Sequence, residues 1–86
     1  MKLHLLYTPN TPADRDLEEL QRRLAELQIT PELVNADSRS GIALAELYDV
    51  MQRPAVIATD DNGQLMQKWE GDLPRLEDIM PYVPAI

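Results

Sequence analysis

The sequence predicts an α/β domain with the element order βαβαββα, a four-stranded mixed sheet flanked by helices, and three observations predict it. An apolar run opens the chain, a leucine-striped helical segment follows it, and an Asn-Gly turn joins two β-rich segments in the second half. With 86 residues there is one domain, 1–86, and room for a single core of modest stability.

Met1–Tyr7 (MKLHLLY) sets Leu3, Leu5 and Tyr7 against Lys2, His4 and Leu6. An apolar run this continuous belongs to a strand covered on both faces, at the centre of a sheet. From Asp14 the leucines Leu17, Leu20, Leu24 and Leu27 recur at steps of three and four, while Glu18, Glu19, Gln21, Arg22, Arg23 and Glu26 fill the other face of a helix. Thr11 as a capping hydroxyl, Pro12 in the first turn and Asp14 behind it mark the helix start, where acids also suit the helix dipole. Thr30-Pro31 ends that helix near Ile29, and Glu32–Ala36 reads as a short second strand, so the connection is a parallel crossover.

Ser38 or Ser40 caps a second helix that turns Ile42, Leu44, Leu47 and Tyr48 inward and ends around Asp49-Val50. Pro54–Thr59 and Gln64–Trp69 pair antiparallel across Asp60-Asp61-Asn62-Gly63. After Gly71-Asp72, Leu73–Val83 forms a last helix with Leu76, Ile79, Met80 and Val83 inward, limited or bent by Pro81.

Composition narrows the function classes. Hydrophobic residues at 44% and charged residues at 27% fit a folded soluble domain rather than a disordered chain. The net charge of -7 opposes the phosphate backbone and anionic membranes, which need clustered Lys and Arg. Met1–Tyr7 is too short for a signal segment or a membrane span, so an unprocessed cytoplasmic protein is expected. The absence of cysteine removes disulfides, thiolate nucleophiles and thiolate-held metals. His4, the only histidine, has no acid at i+2 to share its face, so a strand histidine satisfied by its neighbours is expected and no metal site. Asp60-Asp61-Asn62 is accounted for by the hairpin turn and lacks the spacing of a calcium loop.

The stretch Tyr48-Asp49-Val50-Met51-Gln52-Arg53-Pro54-Ala55-Val56-Ile57 resembles the approach to, and the strand of, the cis-proline in the thioredoxin-like superfamily. DDNGQLMQKWEG, Asp60–Gly71, is similar to that superfamily's hairpin, and LLYTPNTPAD resembles the first strand and active-site loop of glutaredoxin-like members. The resemblance covers nearly the whole chain and implies a cis Pro54. It places the two active-site cysteine positions on Thr11 and Asp14, so the chain looks like a small glutaredoxin-like member lacking both cysteines.

A threonine hydroxyl does not ionise near neutral pH without a strong base, so thiol-disulfide exchange is excluded and no catalytic residue is assigned. Thr11 is left with capping the helix or touching a ligand. The resemblance further implies a ligand or peptide groove formed by Tyr7, Thr11, Arg53, Pro54, Gly71 and Asp72. There the residue before the proline offers its backbone to an extended peptide or to glutathione. Arg53 in an otherwise acidic protein would favour an acidic peptide or a carboxylate, or simply be solvated over a helix end. Asp72 would pair with an ammonium, or cap the last helix. Trp69, near Tyr82, is a partly buried strand residue or an exposed anchor for a partner.

The expected function is a redox-inactive binding or adaptor module for a protein or extended peptide, more a non-enzyme than an enzyme, with no required cofactor. The alternatives are a glutathione-binding or transferase-like protein, opposed by the acids Asp14, Asp16, Glu18 and Glu19 at the entrance, and a purely structural assembly domain.

Overall fold

Leu5 and Leu6 are adjacent in the chain and both fully buried, which in a strand requires cover on both faces of the sheet. The computed structural model, which describes residues 1–9 and 14–83, supplies that cover. β1 (Lys2–Tyr7) is central, with β2 (Glu32–Asn35) parallel on one side and β3 (Ala55–Thr59) antiparallel on the other. β4 (Leu65–Glu70) pairs antiparallel with β3 and completes the order β2-β1-β3-β4. α1 (Asp14–Glu26) joins β1 to β2, α2 (Arg39–Leu47) joins β2 to β3, and α3 (Leu76–Ile79) with a 3-10 turn at Met80–Tyr82 follows β4. The element order is the predicted βαβαββα.

On one face, Leu17, Leu20 and Leu24 of α1 pack on Leu3, Leu5, Val56 and Ala58, with Ile79 from α3. Burying each such large side chain is worth about 1.5–3 kcal/mol. The expected Thr11 cap and Pro12 lie outside the described residues. The regular helix stops at Glu26, short of the expected Ile29, and Leu27 turns outward rather than in. The reason is local. Gln28 takes a left-handed conformation (φ 61°), and the Ile29 and Gln28 amides donate to Leu24 and Ala25 carbonyls at 2.9 Å. This pairing closes the helix end and folds Ile29 back onto the core.

On the other face, Leu6, Val34, Ala36, Val50, Ala55 and Ile57 lie under Leu44, Ala45 and Tyr48 of the α2 region. Ser38, one of the two candidate caps, accepts the Gly41 amide at 3.0 Å. Gly41 sets the rotation of α2, because a Cβ there would stand 2.9 Å from the Ala36 Cα and strike the Asn35 carbonyl oxygen. With glycine against β2, the faces differ from expectation. Leu44 and Tyr48 turn inward, but Ile42 and Leu47 point outward, 48% and 71% exposed. α2 ends as α1 does, with Asp49 left-handed (φ 56°) and the Val50 amide on the Ala45 carbonyl at 2.8 Å.

His4 sits between strands, its Nε2 3.3 Å from the Thr59 hydroxyl and its Nδ1 3.7 Å from a Glu32 carboxylate oxygen. The acid near the imidazole therefore comes from the paired strand rather than from its own. The turn between β3 and β4 is built on Asp60, whose side chain accepts the Asn62 and Gln64 amides, with Gly63 at φ 82°.

β4 is a sheet edge, and its Lys68 amide is taken by the Gln67 side-chain oxygen at 2.9 Å, while the Gln67 amide nitrogen donates to the Tyr82 hydroxyl at 3.1 Å. Trp69 is half-buried against the α1 face and meets Tyr82 edge-on at 5.8 Å. The last helix is shorter than the expected Leu73–Val83. Pro74 disfavours helix at Leu73, and Pro81 has no N–H to extend α3, so the chain passes into the 3-10 turn. Ile79 is inward, Leu76 and Val83 are half-buried, and Met80, expected inward, is exposed.

Candidate functional site

The sheet brings three of the predicted groove residues into one row. One step beyond the Leu6–Ala55 pair, the β1–β3 register sets Tyr7 opposite Pro54, and one step beyond Ala55–Glu70 the β3–β4 register sets Pro54 opposite Gly71. The Gly71 amide donates to the Pro54 carbonyl at 3.0 Å, and the Tyr7 carbonyl accepts the Ala36 amide at 2.7 Å. The Arg53–Pro54 peptide bond is cis. Position 71 favours glycine because its φ is +85°; the nearest atom to a Cβ there is the end of the exposed, flexible Gln52 side chain, which moves aside at little cost.

The Arg53 side chain lies in water beside the start of α2, whose N-cap Ser38 follows Asp37. Its guanidinium pairs with Asp37 at 3.0 Å, both side chains remaining largely in water. An exposed pair of this kind is worth about 0–1 kcal/mol. The contact uses one guanidinium nitrogen, which leaves the remaining N–H donors open to an incoming carboxylate. The Arg53 main chain is free where the side chain is not: neither its N–H nor its carbonyl is hydrogen-bonded among the described residues. Met51, two residues earlier, is 81% exposed.

The segment before Pro54 is fastened by residues that the sequence reading passed over. One Glu70 carboxylate oxygen accepts the Met51 amide and, at 3.3 Å, the Gln52 amide, while the other lies 3.6 Å from the Lys68 ammonium. The Met51 amide is the main reason the Glu70 carboxyl is held below the usual carboxylate range; the Gln52 amide and Lys68 add to it, against partial desolvation. Lys68 also donates to the Tyr48 and Asp49 carbonyls at the end of α2, at 3.1 and 2.6 Å. Lys68 and Glu70 stand at i and i+2 on one face of β4. That spacing was the available signal, but it could not say which backbone groups the pair would meet.

Asp72 is exposed and makes no ion pair among the described residues. It does not cap the last helix, since α3 begins at Leu76 and Arg75 holds the N-cap position. It lines a concavity of about 460 Å³ between α1 and the segment leading to α3, together with Asp16, Arg23, Pro74 and Arg75. Asp14 is the first residue of α1, and Thr11 lies outside the described residues. With no cysteine in the chain, no arrangement of these groups can carry thiol-disulfide exchange.

Among solved structures, thioredoxin 1 from the thermophilic eubacterium Thermosipho africanus TCF52B is similar over 94% of this chain and 88% of its own, with a TM-score of 0.71 and 13% identity. The structure of the first two thioredoxin domains of Saccharomyces cerevisiae Eps1p matches 94% of this chain and 33% of its own, with a TM-score of 0.51 and 19% identity. No family model matches the chain, and no curated protein matches it in sequence. At these identities the likeness is one of fold: the chain has the thioredoxin-like fold without cysteine.

Proposed function

We propose that this is a redox-inactive, cytoplasmic domain, glutaredoxin-like in its proportions, that binds an extended segment of a protein partner in the groove beside Pro54. The observation that carries the reading is the Arg53 main chain, whose donor and acceptor are unpaired among the described residues next to Pro54, the middle member of the Tyr7, Pro54, Gly71 row. An extended peptide satisfies such a pair by strand-like hydrogen bonds that depend on no particular side chain. Each bond is worth about 0.5–1.5 kcal/mol net, so selectivity must come from neighbouring side chains. The exposed Met51 thioether offers an apolar contact, and the Arg53–Asp37 pair offers either charge to a peptide that opens it.

A titration followed by backbone amide shifts tests this, using an unstructured peptide of alternating valine and glutamate, one of alternating valine and lysine, and reduced glutathione, each at millimolar concentration. Either peptide is expected to move the Gln52, Arg53 and Gly71 amides. Shifts at Gly71 and Asp72 with glutathione alone would replace the reading by a glutathione-binding one. Silence with all three would overturn it in favour of a structural domain. A disulfide-reduction assay is expected to match the blank.

A further inference from the structure

We infer that the outer face of α2 is a self-association surface, and that two copies of this chain pair through it antiparallel, about a two-fold axis between Ile42 and Ala43. The face itself is unexpected. Once Gly41, Leu44, Ala45 and Tyr48 are committed to the sheet, the opposite side of α2 carries Arg39, Ile42, Ala43, Glu46 and Leu47, all exposed. Three of the five are apolar, and Ile42 and Leu47 are among the most exposed large apolar side chains described. Water-facing apolar residues are ordinary singly, but a contiguous stripe at helical spacing on a nine-residue helix asks for cover.

Charge and spacing select a second copy as the occupant. Arg39 and Glu46 are the two ionisable residues of this face, and neither makes an ion pair among the described residues. They are seven residues apart, two helical turns or about 10 Å along the axis. That is too far to pair with each other. In an antiparallel pair centred between Ile42 and Ala43, Arg39 of one copy stands level with Glu46 of the second copy, and the reverse pair forms at the other end. Both ionic contacts arise from one operation, as an isologous interface requires. At the centre, Ile42 meets Ile42 of the second copy on one flank, and the small Ala43 meets its own counterpart on the other, allowing close approach. Leu47 is left to lie along the methylene stem of Arg39 of the second copy.

The size of the face sets the strength. A helix this short spans only about 13 Å, so the buried area falls below the roughly 1,200 Å² at which specific stable interfaces begin. The dimer is therefore weak and depends on concentration. The net charge of -7 on each copy opposes it at low ionic strength. At physiological salt, where screening acts over about 8 Å, the local Arg39–Glu46 contacts survive better than the long-range repulsion.

The test is sedimentation equilibrium at physiological salt, with amide shifts recorded between about 20 μM and about 1 mM, a range spanning weak association. Average mass is expected to rise with concentration, with shifts at Arg39, Ile42, Ala43, Glu46 and Leu47 and none at Arg53 or Gly71. Ile42→Glu is expected to abolish association, and Glu46→Arg to weaken it roughly tenfold or more by opposing two like charges. The double reversal Arg39→Glu with Glu46→Arg restores it. All these positions are exposed, and an unchanged circular dichroism spectrum shows that each variant is folded. A monomer at every concentration overturns the inference and leaves the stripe to another protein. Association that ignores Ile42→Glu, or that the double reversal fails to restore, overturns the antiparallel pairing. Because the shifts expected here exclude the Pro54 groove, this outcome is separate from that of the peptide titration.

Discussion

On the face covered by α1 and α3, the contacts are between large side chains: Leu17, Leu20 and Leu24 against Leu3, Leu5 and Val56, with Ile79 filling the end. On the face under α2, the helix approaches the sheet with a glycine, and much of the holding is polar. Tyr48 reaches the Gly63 carbonyl at 2.6 Å, Lys68 reaches the end of α2, Glu70 holds the Met51 and Gln52 amides, and Arg53 holds Asp37. Apolar contacts carry no charge to titrate or to screen, whereas exposed ionic tethers are both titrated and screened. The segment before Pro54 thus hangs from the face whose fastenings respond to conditions.

The first way to break this contrast is Leu24→Ala. Leu24 is fully buried at the centre of the α1 face, so its truncation is expected to cost about 2–5 kcal/mol and to shift chemical unfolding of the whole domain. An effect confined to α1 amides, with the global midpoint unmoved, would show that the α1 face is not the main store of stability. Next comes Gly41→Ala. The added methyl meets the Asn35 carbonyl and the Ala36 Cα, so α2 must lift from β2 at an expected cost of about 1–3 kcal/mol. Faster hydrogen exchange at Val50, Met51 and Gln52 than in α1 is the signature that checks it.

The smallest effect concerns acid. The folded protein holds Glu70 below the ordinary carboxylate range, so its tether is complete above that range and is lost as the pH falls through the depressed value. Exchange protection at Met51 and Gln52 is expected to fade there, and Glu70→Gln is expected to remove that pH dependence. Glu19 is a useful control. Its carboxyl is also lowered, by Arg22 first and Arg23 second, but the three share the exposed side of α1, so its protonation leaves the Pro54 segment alone. Equal responses at both places would erase the distinction between the faces.

The same contrast explains what could be read in advance. α1 was legible because its leucines recur at helical spacing and bury by size, which is a property of the side chains themselves. α2 was misread at Ile42 and Leu47 because its orientation is decided by where a glycine allows two backbones to meet, and a missing side chain leaves no apolar signal. Both helix ends were blurred for a related reason: Gln28 and Asp49 occupy left-handed positions that glycine usually marks. Around Pro54, the grouping of Tyr7, Pro54 and Gly71 came from the resemblance to the thioredoxin-like superfamily rather than from the spacing of the residues themselves. The Lys68–Glu70 fastening and the Arg53–Asp37 pair were legible from neither, since each joins residues distant in the chain.

The bond from Gln67 to the Lys68 amide, braced by Tyr82, has a meaning beyond this molecule's own sheet. An open strand edge can template the next chain, and the next, until a fibril grows. Here one side-chain amide occupies one of the donors that such growth would use, and the Tyr82 phenol holds that amide in place. The β4 edge thus offers an incoming strand one donor fewer near its middle.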